Sequence, residues 1–311
     1  MKARLSIFFL LLIVLSNCFA YRASQPYGPS IQNSYEKDFF PKVSQAGVQI
    51  LVFGDSGSGK PIQMHIAKSM QKVCQKVRCD FGILLGDNFY EVGVSSVEDK
   101  QFEEKFEIPY SPLKIKFYPS LGNHDHGYFG LGGNITAQVA YTKKSEYWRM
   151  PHLYYNYKVQ DVEFIVLDTN NLRDEDEKQL QWFQQTIQKS TAKWVIVYGH
   201  HPIYSYGSHG NNPGLAKNVL PQLCERADAY LAGHDHDLQL IQARCGFLQL
   251  VSGAAGKLRS TSSGPNSLFS KSAYGFNRVE ILGDSMKILF YDKDGNELYQ
   301  KEVKNRFLER K

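Results

Sequence analysis

Two stretches, Val48-Gln49-Ile50-Leu51-Val52-Phe53-Gly54-Asp55-Ser56-Gly57 and Phe81-Gly82-Ile83-Leu84-Leu85-Gly86-Asp87-Asn88-Phe89-Tyr90, share one plan. A short apolar run rich in β-branched and aromatic residues stops at glycine, and the next residue is aspartate. Such a run bounded by turn residues reads as a strand. The unit recurs at Phe117 to Leu121, Val162 to Leu167, Trp194 to Tyr198, Ala229 to Ala232 and Phe247 to Ser252. Between several of these runs, at Ile62 to Val77, Glu98 to Phe106 and Glu175 to Ile187, apolar residues recur at the three-and-four spacing of a helix. Strands alternating with helices imply an α/β layered core, in which polar site residues gather in loops beyond strand ends.

Outward from this core the pattern changes. Residues Tyr21 to Ala46 carry Pro26, Pro29 and Pro41 with no sustained apolar period and read as an extended lead-in. Towards the other end, Arg278 to Leu282, Met286 to Tyr291 and Leu298 to Val303 read as antiparallel strands, the last two joined across Asp294-Gly295-Asn296. They extend a sheet rather than form a second domain. The expected organisation is a signal peptide at 1–20, an extended segment at 21–46, a single domain at 47–305 and a basic tail at 306–311.

The chain has 311 residues, 42% of them apolar, which suits an enzyme-sized body with a substantial core. Its formal charge is +5; without Lys2 and Arg4, 34 basic side chains face 31 acidic ones, an excess too mild and too dispersed for nucleic acid as the main partner. Lys2 and Arg4 precede an apolar run from Leu5 to Leu15 and then Ser16-Asn17-Cys18-Phe19-Ala20, the pattern of a signal peptide cleaved after Ala20. The run is shorter than a membrane span, so no stable insertion is expected after cleavage. Cleavage leaves Cys74, Cys79, Cys224 and Cys245, an even set that suits an oxidising, secreted or lumenal compartment. Four cysteines allow three connectivities, and pairing within each close couple is the expectation. Asn134-Ile135-Thr136 is a glycosylation acceptor in a eukaryotic host.

Five short motifs stand at the strand ends: Gly54-Asp55-Ser56-Gly57, Gly86-Asp87-Asn88-Phe89-Tyr90, Gly122-Asn123-His124-Asp125, Gly199-His200-His201-Pro202 and Gly233-His234-Asp235-His236. Singly, each reads as a turn, a helix cap or a satisfied polar group. Together they concentrate chemistry: of nine histidines, His124, His126, His200, His201, His209, His234 and His236 fall in or beside these loops. Carboxylate, amide oxygen and imidazole suit divalent and trivalent first-row metals, and sulfur is absent from the set. Two such ions, roughly 3.5–4 Å apart, activate water and clamp a phosphoryl group. Asp55, Asp87, Tyr90, Asn123, His200, His234 and His236 supply enough donors for both.

In this order the motifs resemble the metallophosphoesterase signature, and Gly86-Asp87-Asn88-Phe89-Tyr90 makes the chain similar to the purple acid phosphatases of the small animal type. The resemblance runs from about Val48 to Leu240. It implies a four-layer α/β/β/α sandwich with the metal site at the carboxyl ends of the strands. Fe(III) is then held by Asp55, Asp87, Tyr90 and His236, and Fe(II), Zn(II) or Mn(II) by Asp87, Asn123, His200 and His234, with Asp87 as the bridge. Where the wider superfamily has a histidine two residues after the first aspartate, this chain has Gly57, and Tyr90 makes up the missing donor. His124 resembles the family's substrate-positioning histidine and His209 its partner, either able to protonate the leaving oxygen. The implied activity is hydrolysis of small phosphate monoesters or phosphoproteins by a secreted, monomeric acid phosphatase. A metal-activated hydroxide would attack phosphorus, with an acidic optimum. Animal enzymes of the type carry a longer loop where this chain has Asn170 to Asp176, so no activation by cleavage there is expected.

Rival readings are weaker. Gly54-Asp55-Ser56-Gly57-Ser58-Gly59-Lys60 has the spacing of a nucleotide-binding P-loop, but Pro61 follows where a hydroxyl would bind magnesium, and the later motifs stay unexplained. An inactive binding protein of the same fold would be expected to have lost donors. Phosphodiesters, nucleotides or pyrophosphate remain alternative substrates. Asp125 and His126 read equally as support for a catalytic histidine or as structural groups, and Lys257 and Arg259 as substrate contacts or solvated charges.

Overall fold

The computed structural model describes residues 39–128, 130–172 and 176–307, with the side chains of 128 and 131 left aside. The expected signal peptide, most of the lead-in, part of the Asn170 to Asp176 connection and most of the basic tail lie outside the described residues.

Two large sheets form the frame. One runs, in spatial order, Glu297–Lys304, Ser285–Asp292, Gly275–Leu282, Val48–Phe53, Phe81–Leu85, Phe117–Ser120. The other runs Ser267–Lys271, Leu238–Gln242, Leu248–Ser252, Ala229–Ala232, Trp194–Tyr198, Val162–Val166, Tyr155–Val159. In the first, Val48–Phe53, Phe81–Leu85 and Phe117–Ser120 are parallel, and the three tail strands add on antiparallel. The centre of the second is likewise parallel. Each parallel block therefore ends all its strands on one edge, where the five motifs stand.

Side-chain alternation shows why the layers stack. From Trp194–Tyr198, Trp194, Ile196 and Tyr198 enter the larger core between the sheets, whereas Val195 and Val197 enter a second core with Phe183, Ile187, Leu215 and Leu223 from the outer helices. Between the sheets, Phe81 meets Phe164 edge-on at 5.5 Å and Tyr118 stacks on Tyr157 at 4.8 Å. Burying each such ring stabilises the sandwich by roughly 1.5–3 kcal/mol. Helix Pro61–Lys76 covers the other face of the first sheet with Ile66, Ala67, Met70 and Val73, and its Pro61 suits a first helical turn. The architecture is the two-sheet α/β sandwich that the resemblance implied.

Some boundaries shift. Helix begins at Gln101 rather than Glu98, because Asp99 accepts from the backbone N–H of Gln101 at 3.0 Å and turns the chain first. Asp176 likewise caps helix Glu177–Lys189. Tyr155–Val159, Leu238–Gln242 and Ser267–Lys271 are strands for which the sequence reading had no separate run. The cysteines pair within each close couple, Cys74 with Cys79 and Cys224 with Cys245. Asn134 caps helix Ile135–Tyr141, accepting from Ala137 N–H at 3.0 Å. Among the described residues no helix is long and apolar enough to cross a membrane.

Candidate metal centre

The motif loops are stitched to one another across the two sheets. Gly54 N–H donates to Ser252 O at 2.7 Å, and His200 Nδ1 donates to Leu85 O at 2.8 Å. Glycine is required where loops press together: a Cβ on Gly57 would run into the carbonyl of Asn88, and one on Gly122 into the Asp87 carboxylate. The absence of a histidine at position 57 thus has a steric basis. Three of the residues behind these turns, Asp55, Asp87 and His234, have φ of 57°, 50° and 69°, a left-handed backbone that costs non-glycine residues on the order of 1–3 kcal/mol. The neighbouring hydrogen bonds hold them there: His234 N–H donates to Asp55 Oδ2 at 2.8 Å and His124 N–H to Asp87 Oδ1 at 2.9 Å.

The strain aims side-chain donors inward. Tyr90 OH lies 2.9 Å from Asp55 Oδ1 and 3.1 Å from His236 Nε2, and His236 Nε2 is 3.3 Å from Asp55 Oδ1. Beside this group, His200 Nε2 lies 3.1 Å from Asn123 Oδ1, 3.1 Å from His234 Nδ1 and 3.5 Å from Asp87 Oδ2. The chain therefore brings all seven predicted donors into two adjoining groups. Asp55, Asp87 and His236 offer atoms within 4.8 Å of one another, as do His200, His201 and His234. His201 had no predicted role; its Nδ1 pairs with Thr169 Oγ1 at 2.9 Å while its ring lies 4.4 Å from that of His234.

The electrostatics fit a cation. Burial pushes the Asp55 carboxyl well above its usual range, helped by Asp87. Burial, then Asp55 and Asp87, raises the Tyr90 phenol well above its ordinary value. Burial also lowers His234 far below the usual imidazole range and His236 to about 4, which keeps both as neutral rings with free lone pairs. Oxygen donors crowded against each other and neutral imidazoles form a set that bound cations would relieve, and the set fits a pair of first-row metals.

His124 and His209 flank the donors. His124 packs its ring 4.5 Å from Tyr90 and donates from Nδ1 to Glu91 O at 2.6 Å. His209 stacks on His234 at 4.1 Å and donates from Nδ1 to Asp235 Oδ1 at 2.9 Å. Asp125 accepts from the N–H groups of Asn88, Phe89 and Gly122 at 3.1, 3.2 and 2.8 Å and so fastens the second motif to the third. His126 donates to Asp168 Oδ1 at 3.1 Å, away from the donors. Asp235, Thr169 and Glu91 escaped the sequence reading. Asp235 was visible inside a motif, but nothing in the sequence said it would turn back to His209.

The chain is similar to proteins of known family. The pattern of the calcineurin-like phosphoesterase family matches residues 48–238. Tartrate-resistant acid phosphatase type 5 of Mus musculus is 32% identical over 281 residues, covering 78% of this chain and 84% of the relative. Purple acid phosphatase 7 of Arabidopsis thaliana is 30% identical over 295 residues, covering 85% and 88%. Among solved structures, GAP50, the anchor in the inner membrane complex of Plasmodium, superposes with a TM-score of 0.75 at 24% identity, over 84% of this chain and 90% of that one, a likeness of fold.

Proposed function

Because the chain belongs to the calcineurin-like phosphoesterase family, we propose that it is an acid phosphatase that hydrolyses phosphate monoesters at a dinuclear metal centre. The observation that carries this reading is the meeting of seven oxygen and nitrogen donors in two groups that adjoin at Asp87. Asp55, Asp87, Tyr90 and His236 would hold Fe(III); Asp87, Asn123, His200 and His234 would hold Fe(II), Zn(II) or Mn(II). A phenolate from Tyr90 would be a hard oxygen donor in the first group, which suits a trivalent ion. Once bound, the pair supplies a nucleophilic water and positive charge towards a phosphoryl group.

The protein's own groups do the rest. Asp87 offers an oxygen within 4.8 Å of donor atoms of Asp55 and His236, and its Oδ2 lies 3.5 Å from His200 Nε2, so one carboxylate meets both donor groups. With Nδ1 committed to Glu91 O, His124 has Nε2 left to meet a phosphoryl oxygen. Asp235 holds His209 Nδ1 while Nε2 faces the Arg259 guanidinium, so His209 would give a proton to the leaving oxygen only as the imidazolium, turned free of Arg259. The two disulfides support a secreted or lumenal setting, and the 47–305 segment acts as one catalytic unit.

An inactive binding protein of this fold is the competing reading, and the complete donor set argues against it. Metal analysis, a visible spectrum and aryl phosphate hydrolysis across pH test the proposal. Iron with an acidic optimum is expected; absence of hydrolysis would sink the enzyme reading, and an iron-free active site with an alkaline optimum would sink the Fe(III) assignment.

A further inference from the structure

We propose that a second cleft, lined by none of the seven metal donors, binds an acidic sugar, a pyranose ring that carries a carboxylate. The cleft encloses about 410 Å³, within the size range of small-molecule sites. Tyr204, Tyr206 and Asn211 line one side, from the loop at 203–212. Ile241, Arg244 and Asn266 line the other, from the end of strand Leu238–Gln242 and the turns beyond it.

Both sides are fixed in place. Gln249 Oε1 accepts from the backbone N–H groups of Ile203 and Tyr204 at 3.0 and 3.1 Å, and Gln239 Oε1 accepts from that of Tyr206 at 2.9 Å. Both glutamines are fully buried on their strands, so the loop backbone is tied to the sheet. The Tyr206 ring lies against Gly264, where a Cβ would come within 2.1 Å of its Cε1. Across the cleft, Arg244 stands on a tight turn in which Ala243 N–H donates to Phe247 O at 3.0 Å and Gly246 N–H to Ala243 O at 2.8 Å. The next residue, Cys245, is bonded to Cys224. Asn266 O accepts from Gln242 N–H at 3.0 Å. A ligand would therefore meet walls that cost little to order.

The side-chain ends are uncommitted where the backbone is not. The hydroxyls of Tyr204 and Tyr206, Asn211 Nδ2, the Asn266 amide and the Arg244 guanidinium have no hydrogen-bond partner among the described residues. Arg244 is the one charged residue lining the cleft, and no carboxylate opposes it there. Phenol rings and the buried Ile241 offer apolar faces, while hydroxyl and amide groups both give and accept hydrogen bonds. The guanidinium fork matches a carboxylate. A pyranose has apolar C–H faces and hydroxyls around its whole rim, so an acidic one satisfies the entire set. A flat nucleobase, polar along its edges alone, would leave most of these ends unpaired.

The test is calorimetric titration of metal-loaded wild type, Arg244→Gln and Arg244→Lys with methyl glucuronide, methyl glucoside and adenosine. Wild type should prefer the glucuronide to the glucoside on the order of tenfold, the size of one charge-assisted contact. The preference should vanish in Arg244→Gln and return in part in Arg244→Lys, with thermal melts alike in all three proteins. A wild-type preference under about threefold overturns the proposal. So does a glucuronide affinity unchanged in Arg244→Gln, which would put the sugar acid at the metal centre, or tighter binding of adenosine. None of these readings depends on phosphate hydrolysis, so the cleft and the phosphatase reading stand or fall separately.

Discussion

The Tyr90 hydroxyl donates to Asp55 Oδ1 at 2.9 Å across 35 residues of sequence, and both groups are buried. Neither favours ionisation where it sits, because burial raises both. A cation bound between them would therefore replace protons that burial otherwise holds on both groups. Tyr90→Phe should leave the fold intact, abolish the visible absorption band of the iron-loaded protein and lower activity by roughly 10–100-fold or more. Absorption spectra of the two proteins at equal iron content check this, and an unchanged band would remove Tyr90 from the ligand set.

Asp235 holds His209 by two contacts, to the backbone N–H and to Nδ1, both at 2.9 Å. Asp235→Asn offers an amide where the ring N–H needs an acceptor and allows the imidazole to turn. We expect kcat to fall roughly 10–100-fold with little change in KM or in bound metal. Steady-state kinetics with metal analysis separate this from a metal-binding defect, which would appear as lost stoichiometry.

Gly57 faces the carbonyl of Asn88 with no space for a side chain. Gly57→Ala should therefore cost about 1–3 kcal/mol of stability by forcing the first two motif loops apart. Thermal denaturation reads the stability, and metal titration should show weakened affinity as the loops separate. Wild-type behaviour in both would mean that the loops yield without cost.

Asp228 lies far from the motifs, accepting from Val195 N–H at 2.8 Å and Asn305 Nδ2 at 3.2 Å, and burial pushes its carboxyl up to about 6. In the unfolded chain it should titrate at about 3.9. The native state then keeps a proton that the unfolded chain has already lost. Stability relative to Asp228→Asn should rise as pH falls from 7 to 4, by up to about 3 kcal/mol, and most of the change should lie between the two values. Denaturant melts of both proteins at several pH values check the sign; a difference independent of pH would contradict it.

The disulfides close loops of unequal length, with separations of 5 and 21 residues. On chain entropy, Cys224–Cys245 should stabilise by about 3 kcal/mol and Cys74–Cys79 by about 2 kcal/mol. Double serine variants, melted separately without reductant, should rank in that order; the reverse ranking would show that native packing outweighs loop closure.

Much of this molecule is local in character and could be read from the chain. The runs Val48 to Phe53 and Trp194 to Tyr198 declare themselves as strands by composition, and the glycine that ends such runs marks where a polar residue must turn. Weak or split patterns hid other elements: Tyr155–Val159 alternates with polar Asn156 and Lys158, and Leu238–Gln242 sits immediately behind a motif that drew attention to its chemistry.

Sequence alone determined the order of strands and helices and the kinds of donor atom at the turns, because backbone preference and hydrophobic period act between near neighbours. Tertiary structure alone decided the partners. Tyr90 meets His236 across 146 residues, Lys257 finds Glu91 across 166, and Arg259 reaches His209 while Asp235 turns that ring. Such meetings depend on how two sheets stack and how strained turns aim their side chains, and those are properties of the packed whole.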